Sequence, residues 1–160
     1  MNPQDILMYG HRTVLRTLEY FPKTEWYTPG ACGYWSVKDL VAHLASFELV
    51  LVEILDNLLD PGATPLVDQF SRNGQAFNDE QVDRLRKDRK MEEVLAEYQR
   101  AHERVRLAAS QISPVAWDME GSLPWYGKEY DLEDFIVYSF YGHKREHCGQ
   151  IQVFSDKFRS

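Results

Sequence analysis

The chain contains five histidines, His11, His43, His102, His143 and His147. Each falls on or beside the apolar stripe of a predicted helix. A buried imidazole requires a hydrogen-bond partner or a metal ion. Imidazoles that converge in a core repel one another once protonated, and a shared cation removes that conflict by holding them neutral. The sharpest local pattern is His143-Lys144-Arg145-Glu146-His147. Spacing of i, i+4 sets both imidazoles on one helix face, at a separation that a single metal ion can bridge. The same spacing also fits two polar positions on a solvated face. Ile136 and Phe154, which share the stripe, turn the pair toward the buried side.

Other chemistries find less in the chain. In the zinc-peptidase motif a Glu directly follows the first His, and here Lys144 stands in that place. The sequence has no Gly-rich phosphate loop and no Gly-x-Ser-x-Gly elbow, so nucleotide binding and serine hydrolysis have no support. Glu48, Glu146 and Gln150 lie near the histidines along their helices and could orient a ring through its other nitrogen, but they read first as surface or ordinary polar contacts. His11 and His102 read as pocket wall or as internal hydrogen-bonding groups. Cys148 follows His147 directly, so it points about 100° away on a helix and serves as a small apolar filler. Cys32 sits in a loop with nothing beside it to mark it as reactive. Trp35, Trp125, Tyr126, Tyr138 and Tyr141 could line a pocket, although aromatics at helical spacing read first as packing. The loop around Trp125 is the candidate lid.

The elements that must position these groups are helical. Helix 1 is expected over residues 4–21, with Leu7, His11, Val14, Leu18 and Phe21 on one face. Helix 2 opens at Ser36, with Asp39 three residues on in a capping-box arrangement. Its stripe is Leu40, Leu44, Phe47, Leu51, Ile54 and Leu58, bordered by His43, and Asp60-Pro61-Gly62 ends it. A polar crossover follows, with a short helix expected within Gln75–Lys87. Helix 3 runs from Met91 to about Ile112, with Met91, Val94, Tyr98, Val105 and Ile112 inward. Helix 4 starts at Asp131, capped with Asp134, and runs to about Phe158. Its inward face reads Leu132, Ile136, Ser139, His143, His147, Gln150 and Phe154. The fold class is all-α, a four-helix bundle. The connection of about thirty residues between helices 2 and 3 allows a crossover.

The whole chain, 160 residues, is expected to form a single domain. Hydrophobic residues at 44% and charged residues at 27% are an ordinary globular balance. A net charge of −7 repels phosphate backbones, so no nucleic-acid partner is expected. No run approaches the ~18 apolar residues of a membrane span. The first residues lack the basic start and apolar run of a signal peptide. These two features together lead to an expectation of the cytoplasm, with Cys32 and Cys148 as thiols.

Tyr34-Trp35-Ser36-Val37-Lys38-Asp39-Leu40-Val41-Ala42-His43-Leu44 resembles the second-helix signature of the DinB-like superfamily, in which Trp-Ser opens the helix and a His lies about two turns in. His143-x-x-x-His147 followed by Gly149-Gln150-Ile151 resembles its last-helix signature. Phe77-Asn78, the long third helix and Leu123-Pro124-Trp125 also fit, so the resemblance spans most of the chain. It implies an up-down-down-up bundle, often a homodimer, and a metal site of one His from helix 2 and two from helix 4: His43, His143 and His147. Nickel or zinc is the ion implied. The reactions implied are thiol-dependent transfer or isomerisation with a low-molecular-weight thiol, or hydrolase-like detoxification of a small molecule.

Three nitrogen ligands leave a coordination position open, as in catalytic sites, where an ion lowers the pKa of bound water or activates a thiolate. Two other readings compete with a metal-dependent enzyme. One is a non-catalytic stress or resistance protein that sequesters a metal or small molecule. The other is a plain bundle whose histidines are buried and hydrogen-bonded.

Overall fold

The computed structural model describes residues 2–159. Among them the structure is helical, and the β-type pairing consists of an isolated bridge between Cys32 and Trp35. Helix α1, Pro3–Tyr20, begins where the Asn2 side chain accepts from the Gln4 N–H at 2.9 Å, with proline in the first turn. Helix α2, Val37–Leu59, opens with the expected capping box. Ser36 Oγ accepts from the Asp39 N–H at 3.2 Å, and Asp39 Oδ2 accepts from the Ser36 N–H at 3.0 Å. Helix α5, Met91–Ala109, lies along α2 and buries Met91, Val94, Tyr98 and Val105. It ends short of Ile112, where Gln111 and Ile112 close turns onto Ala108 and Ala109.

The crossover is docked rather than slack. It holds α3, Pro65–Arg72, and α4, Gly74–Asn78, followed by a π turn over Asp79–Arg84. The expected Gln75–Lys87 helix is thus split between two geometries. Glu53 of α2 accepts from the Leu66 and Val67 N–H groups at 3.2 and 3.0 Å, satisfying the free end of α3. Lys38 of α2, buried to 2% exposure, donates to the carbonyls of Arg86 and Lys87 at 2.5 and 2.8 Å. A short turn, α6, Pro114–Trp117, then leads into the Trp125 loop.

The last helical stretch departs from its sequence expectation in a way that matters for the site. It starts as α7, Leu132–Asp134, with Asp131 and Asp134 as a capping box. It widens into a π segment over Phe135–Tyr141 and resumes as α8, Gly142–Ser155. A π turn takes in one more residue than an α turn. The buried face downstream therefore widens to take in positions one residue later than expected. Of the expected inward line, Leu132, Ile136, His147 and Phe154 are buried and Ser139, His143 and Gln150 half-buried, while Phe140, Lys144, Cys148 and Ile151 form a second buried line beside it. His143 lies at the flank of the core, His147 is buried, and Lys144 carries its charge into the core. Helix α8 packs along α1, and α2 along α5.

Since Ser36 caps the helix that carries His43, Ser36→Ala should lower stability by about 1 kcal/mol. Urea unfolding with an unchanged slope is the measurement that checks it.

Candidate metal centre

His43 sits two turns into α2, and His143 and His147 occupy the first turns of α8. The Nε2 atoms of His43 and His143 are 2.8 Å apart, and those of His147 and His143 2.9 Å apart. One ligand atom from each of the three histidines lies within 4.8 Å of the others. Among the described residues this is the cluster with the donor set of a metal site.

The protons explain why a cation suits this arrangement. His147 Nδ1 donates to Gln150 Oε1 at 2.8 Å, since the amide oxygen can only accept. That fixes the tautomer of His147 and leaves a lone pair on its Nε2. His143 Nε2 can carry one proton at most, so it satisfies one of its two short contacts and leaves the other as lone pair against lone pair. A shared cation satisfies all three nitrogens. The amide that holds the far nitrogen of His147 is the usual support for a ligating ring.

The surroundings keep the rings neutral. His43 lies against Trp35, with centroids 5.1 Å apart, and at the edge of Phe47 at 4.7 Å. Phe47 also stacks on His143 at 4.3 Å. Burial, reinforced by the proximity of His143 and His147, depresses His43 from 6.5 to about 2. Burial, with His147 and Lys144 close by, takes His143 to about 3. Burial also lowers His147. Neutral imidazole is the form that ligates.

Supporting residues come from the crossover. Asp83 Oδ1 accepts from Trp35 Nε1 at 3.1 Å, and Tyr34 donates to Asp83 Oδ2 at 2.5 Å, which pins the indole that covers His43. Asn78 lies close enough to act on the proton affinity of His43, while His43 Nδ1 and Asn78 Oδ1 form no hydrogen bond within 3.5 Å. Asp83 carries no sequence signal for this role. Asn78 sits in the Phe77-Asn78 pair, whose match to the superfamily pattern is the one signal that marks it. Gln150, which reads as an ordinary polar position, is the direct partner of His147.

The remaining histidines, half-buried His11 and buried His102, form a second cluster. The rings of His11 and His102 stack in parallel, 3.7 Å apart and inclined by 3°. His102 Nδ1 faces Glu48 Oε2 at 3.8 Å, too far for a hydrogen bond. Glu48 is completely buried, which corrects its reading as a surface or ordinary polar contact, and it pairs with the buried Lys144. Burial pushes the Glu48 carboxyl up, and Lys144 with His102 outweighs it, so the group rests below its ordinary value.

Other expected groups separate from the triad. Glu146 is exposed. Cys148 is a free, buried thiol that burial pushes up. Trp125 packs between Phe70 and Phe135, and reaches His143 only through Phe70 and Phe47. Tyr138 is 71% exposed and lines nothing near the site. Gln150 also borders a cleft of about 420 Å³ with Gly30, Ala31, Val153 and Phe154. A larger cleft of about 570 Å³, between α1 and α8, contains none of the three imidazoles.

The buried imidazoles make stability depend on pH. In metal-free protein His43, His143 and His11 hold off protons until about 2, 3 and 4, against 6.5 for the free side chain. Between those values the unfolded chain binds more protons than the folded one. Stability therefore falls as pH drops from 6.5 toward 4. Urea midpoints measured without metal should decrease steadily over that interval, and His43→Asn should flatten the slope.

The comparisons with known proteins agree with this architecture. A family model described as the mycothiol maleylpyruvate isomerase N-terminal domain matches residues 7–130, a span that includes His43 and stops before His143 and His147. No curated protein and no solved structure matches the chain. No helix among the described residues is long and apolar enough to cross a membrane. With its all-helical architecture and that match over most of its length, the chain belongs to the mycothiol maleylpyruvate isomerase N-terminal domain family, within the DinB-like superfamily.

Proposed function

We propose that this protein is a metal-dependent enzyme acting on a small molecule, with His43, His143 and His147 as the ligands of one divalent transition-metal ion. The observation that carries this reading is the convergence of three imidazole nitrogens within 4.8 Å. Their neutral state and the Gln150 support of His147 fit the reading. Nickel and zinc are the ions we favour, on the superfamily resemblance, and imidazole suits both. When bound, the ion supplies Lewis-acid activation of a thiol or of water at an open position.

The chain's own residues set the conditions for that chemistry. Three neutral ligands leave the charge of the site uncancelled, which favours an anionic or polarisable substrate group. Trp35 and Phe47 exclude water from the flanks of the rings. The cleft beside Gln150 offers a small molecule a place next to the ligand helix. The family description names a mycothiol-dependent isomerase, and this supports a low-molecular-weight thiol as cosubstrate. We therefore favour thiol-dependent transfer, with hydrolase-like detoxification as the neighbouring reaction class. We further propose an up-down-down-up single-domain bundle that works as a homodimer in the cytoplasm, without nucleic-acid partners.

Elemental analysis of untagged protein should find about one equivalent of nickel or zinc per chain. His43→Ala, His143→Ala and His147→Ala should each remove most of it. A screen of small electrophiles with and without thiols should find turnover that chelation abolishes. Turnover that survives complete metal removal would sink the enzyme reading. Stoichiometric metal binding without any turnover would favour a sequestering stress protein instead.

A further inference from the structure

We infer that the buried Glu48–Lys144 pair is the positioning device of the metal site, holding α2 and α8 in the one register at which the three imidazoles meet. This rests on reading those imidazoles as ligands. The site and the pair link the same two helices. His43 and Glu48 belong to α2, and His143 and Lys144 are consecutive residues of α8. One link between two rods leaves them free to pivot. A second, displaced along α2 and around α8, removes that freedom.

The surrounding packing leaves this task to side chains. Helix α2 packs chiefly along α5, and α8 chiefly along α1, so the two ligand-bearing helices touch each other only slightly through their backbones. Hydrophobic contact is tolerant of small slides. A buried ion pair is directional, and its geometry must be good to offset the desolvation of both ions. Glu48 and Lys144 are exposed by 0% and 2%, so water can replace neither partner. Among the described residues the Lys144 ammonium meets no other carboxylate, and it lies over the rings of Tyr98 and Phe140, at 5.2 and 4.8 Å. The fold also makes room for it. On α1, Gly10 stands where a Cβ would come within 3.3 Å of Lys144 Cδ and 3.2 Å of the Tyr141 ring.

The test replaces the pair by apolar residues, Glu48→Met together with Lys144→Met. Such replacements often leave stability unchanged or raise it, which separates folding from register. Cobalt(II) is the probe, followed by competition and by its visible spectrum in wild type and variant. The double variant should unfold at or above the wild-type urea midpoint, bind cobalt about 10–100-fold more weakly, and show an altered ligand-field spectrum. A folded double variant with wild-type affinity and spectrum would overturn the inference. If that variant does not fold, Glu48→Gln keeps the volume and a hydrogen bond to Lys144. It should weaken cobalt binding by a smaller factor, and unchanged affinity would overturn the inference equally. If wild type itself binds no cobalt, the ligand reading fails on its own account. Register is then read from a crystal structure of the metal-free double variant. A His43–His143 Nε2 separation well beyond 2.8 Å supports the positioning role, and an unchanged contact ends it.

Discussion

A carboxylate that no water can reach must find its cation inside the protein, and Glu48 finds Lys144. Breaking such a pair leaves an uncompensated buried charge, at a cost of about 3–5 kcal/mol, whereas apolar residues of the same volume often fill the place as well. Its presence therefore says more about arrangement than about strength. The pair ties the most deeply buried helix of the protein to the helix bearing two of the three imidazoles. Around it lie His102, Tyr98 and the stacked His11, a polar island in an otherwise apolar interior. The two core clusters of aliphatic and aromatic side chains surround this island and keep solvent from it.

The cluster of His43, His143 and His147 follows the same logic with the opposite charge balance. Neutral imidazoles take the place that ions hold in the Glu48–Lys144 pair, and burial keeps them neutral. The aromatic rings that desolvate them are themselves fixed from outside the bundle. Trp35 is held by Asp83 of the crossover, and Phe47 is braced by Phe70 and Phe77 of the same connection. The segment between α2 and α5 thus belongs to the site as much as to the scaffold. Its docking through Lys38 and Glu53 keeps that brace in place.

Much of this was legible in residue order. The Ser36–Asp39 and Asp131–Asp134 boxes mark two helix starts, because capping is local chemistry. The stripes of α1, α2 and α5 predict which faces are buried, because a regular helix has one period. His143 and His147 declare themselves by spacing, while His43 needs the Tyr34–Leu44 resemblance, since its partners lie a hundred residues away. What could not be read depends on depth and on phase. Glu48 reads as an exterior contact unless α2 is known to be enclosed on nearly every side. Lys144 is absent from the expected inward face because a uniform helical period turns it away, yet it is buried. Asp83 acts across the fold, with no local pattern to announce it.

The π segment over Phe135–Tyr141 has a consequence for how the protein tolerates change. Its effect is one of counting: the wide turn takes up one residue more than an α turn, and α8 then presents Lys144 to the core beside His147. Substitutions there can vary the packing while the count is kept. Loss of a single residue would let the segment close into ordinary helix, and the residues after it would keep their present faces. Gain of a further residue, with no second wide turn to take it up, would instead rotate α8 by about 100° and turn Lys144 away from Glu48. The stretch between Ile136 and Gly142 is therefore where this chain can lose one residue without moving the faces of α8.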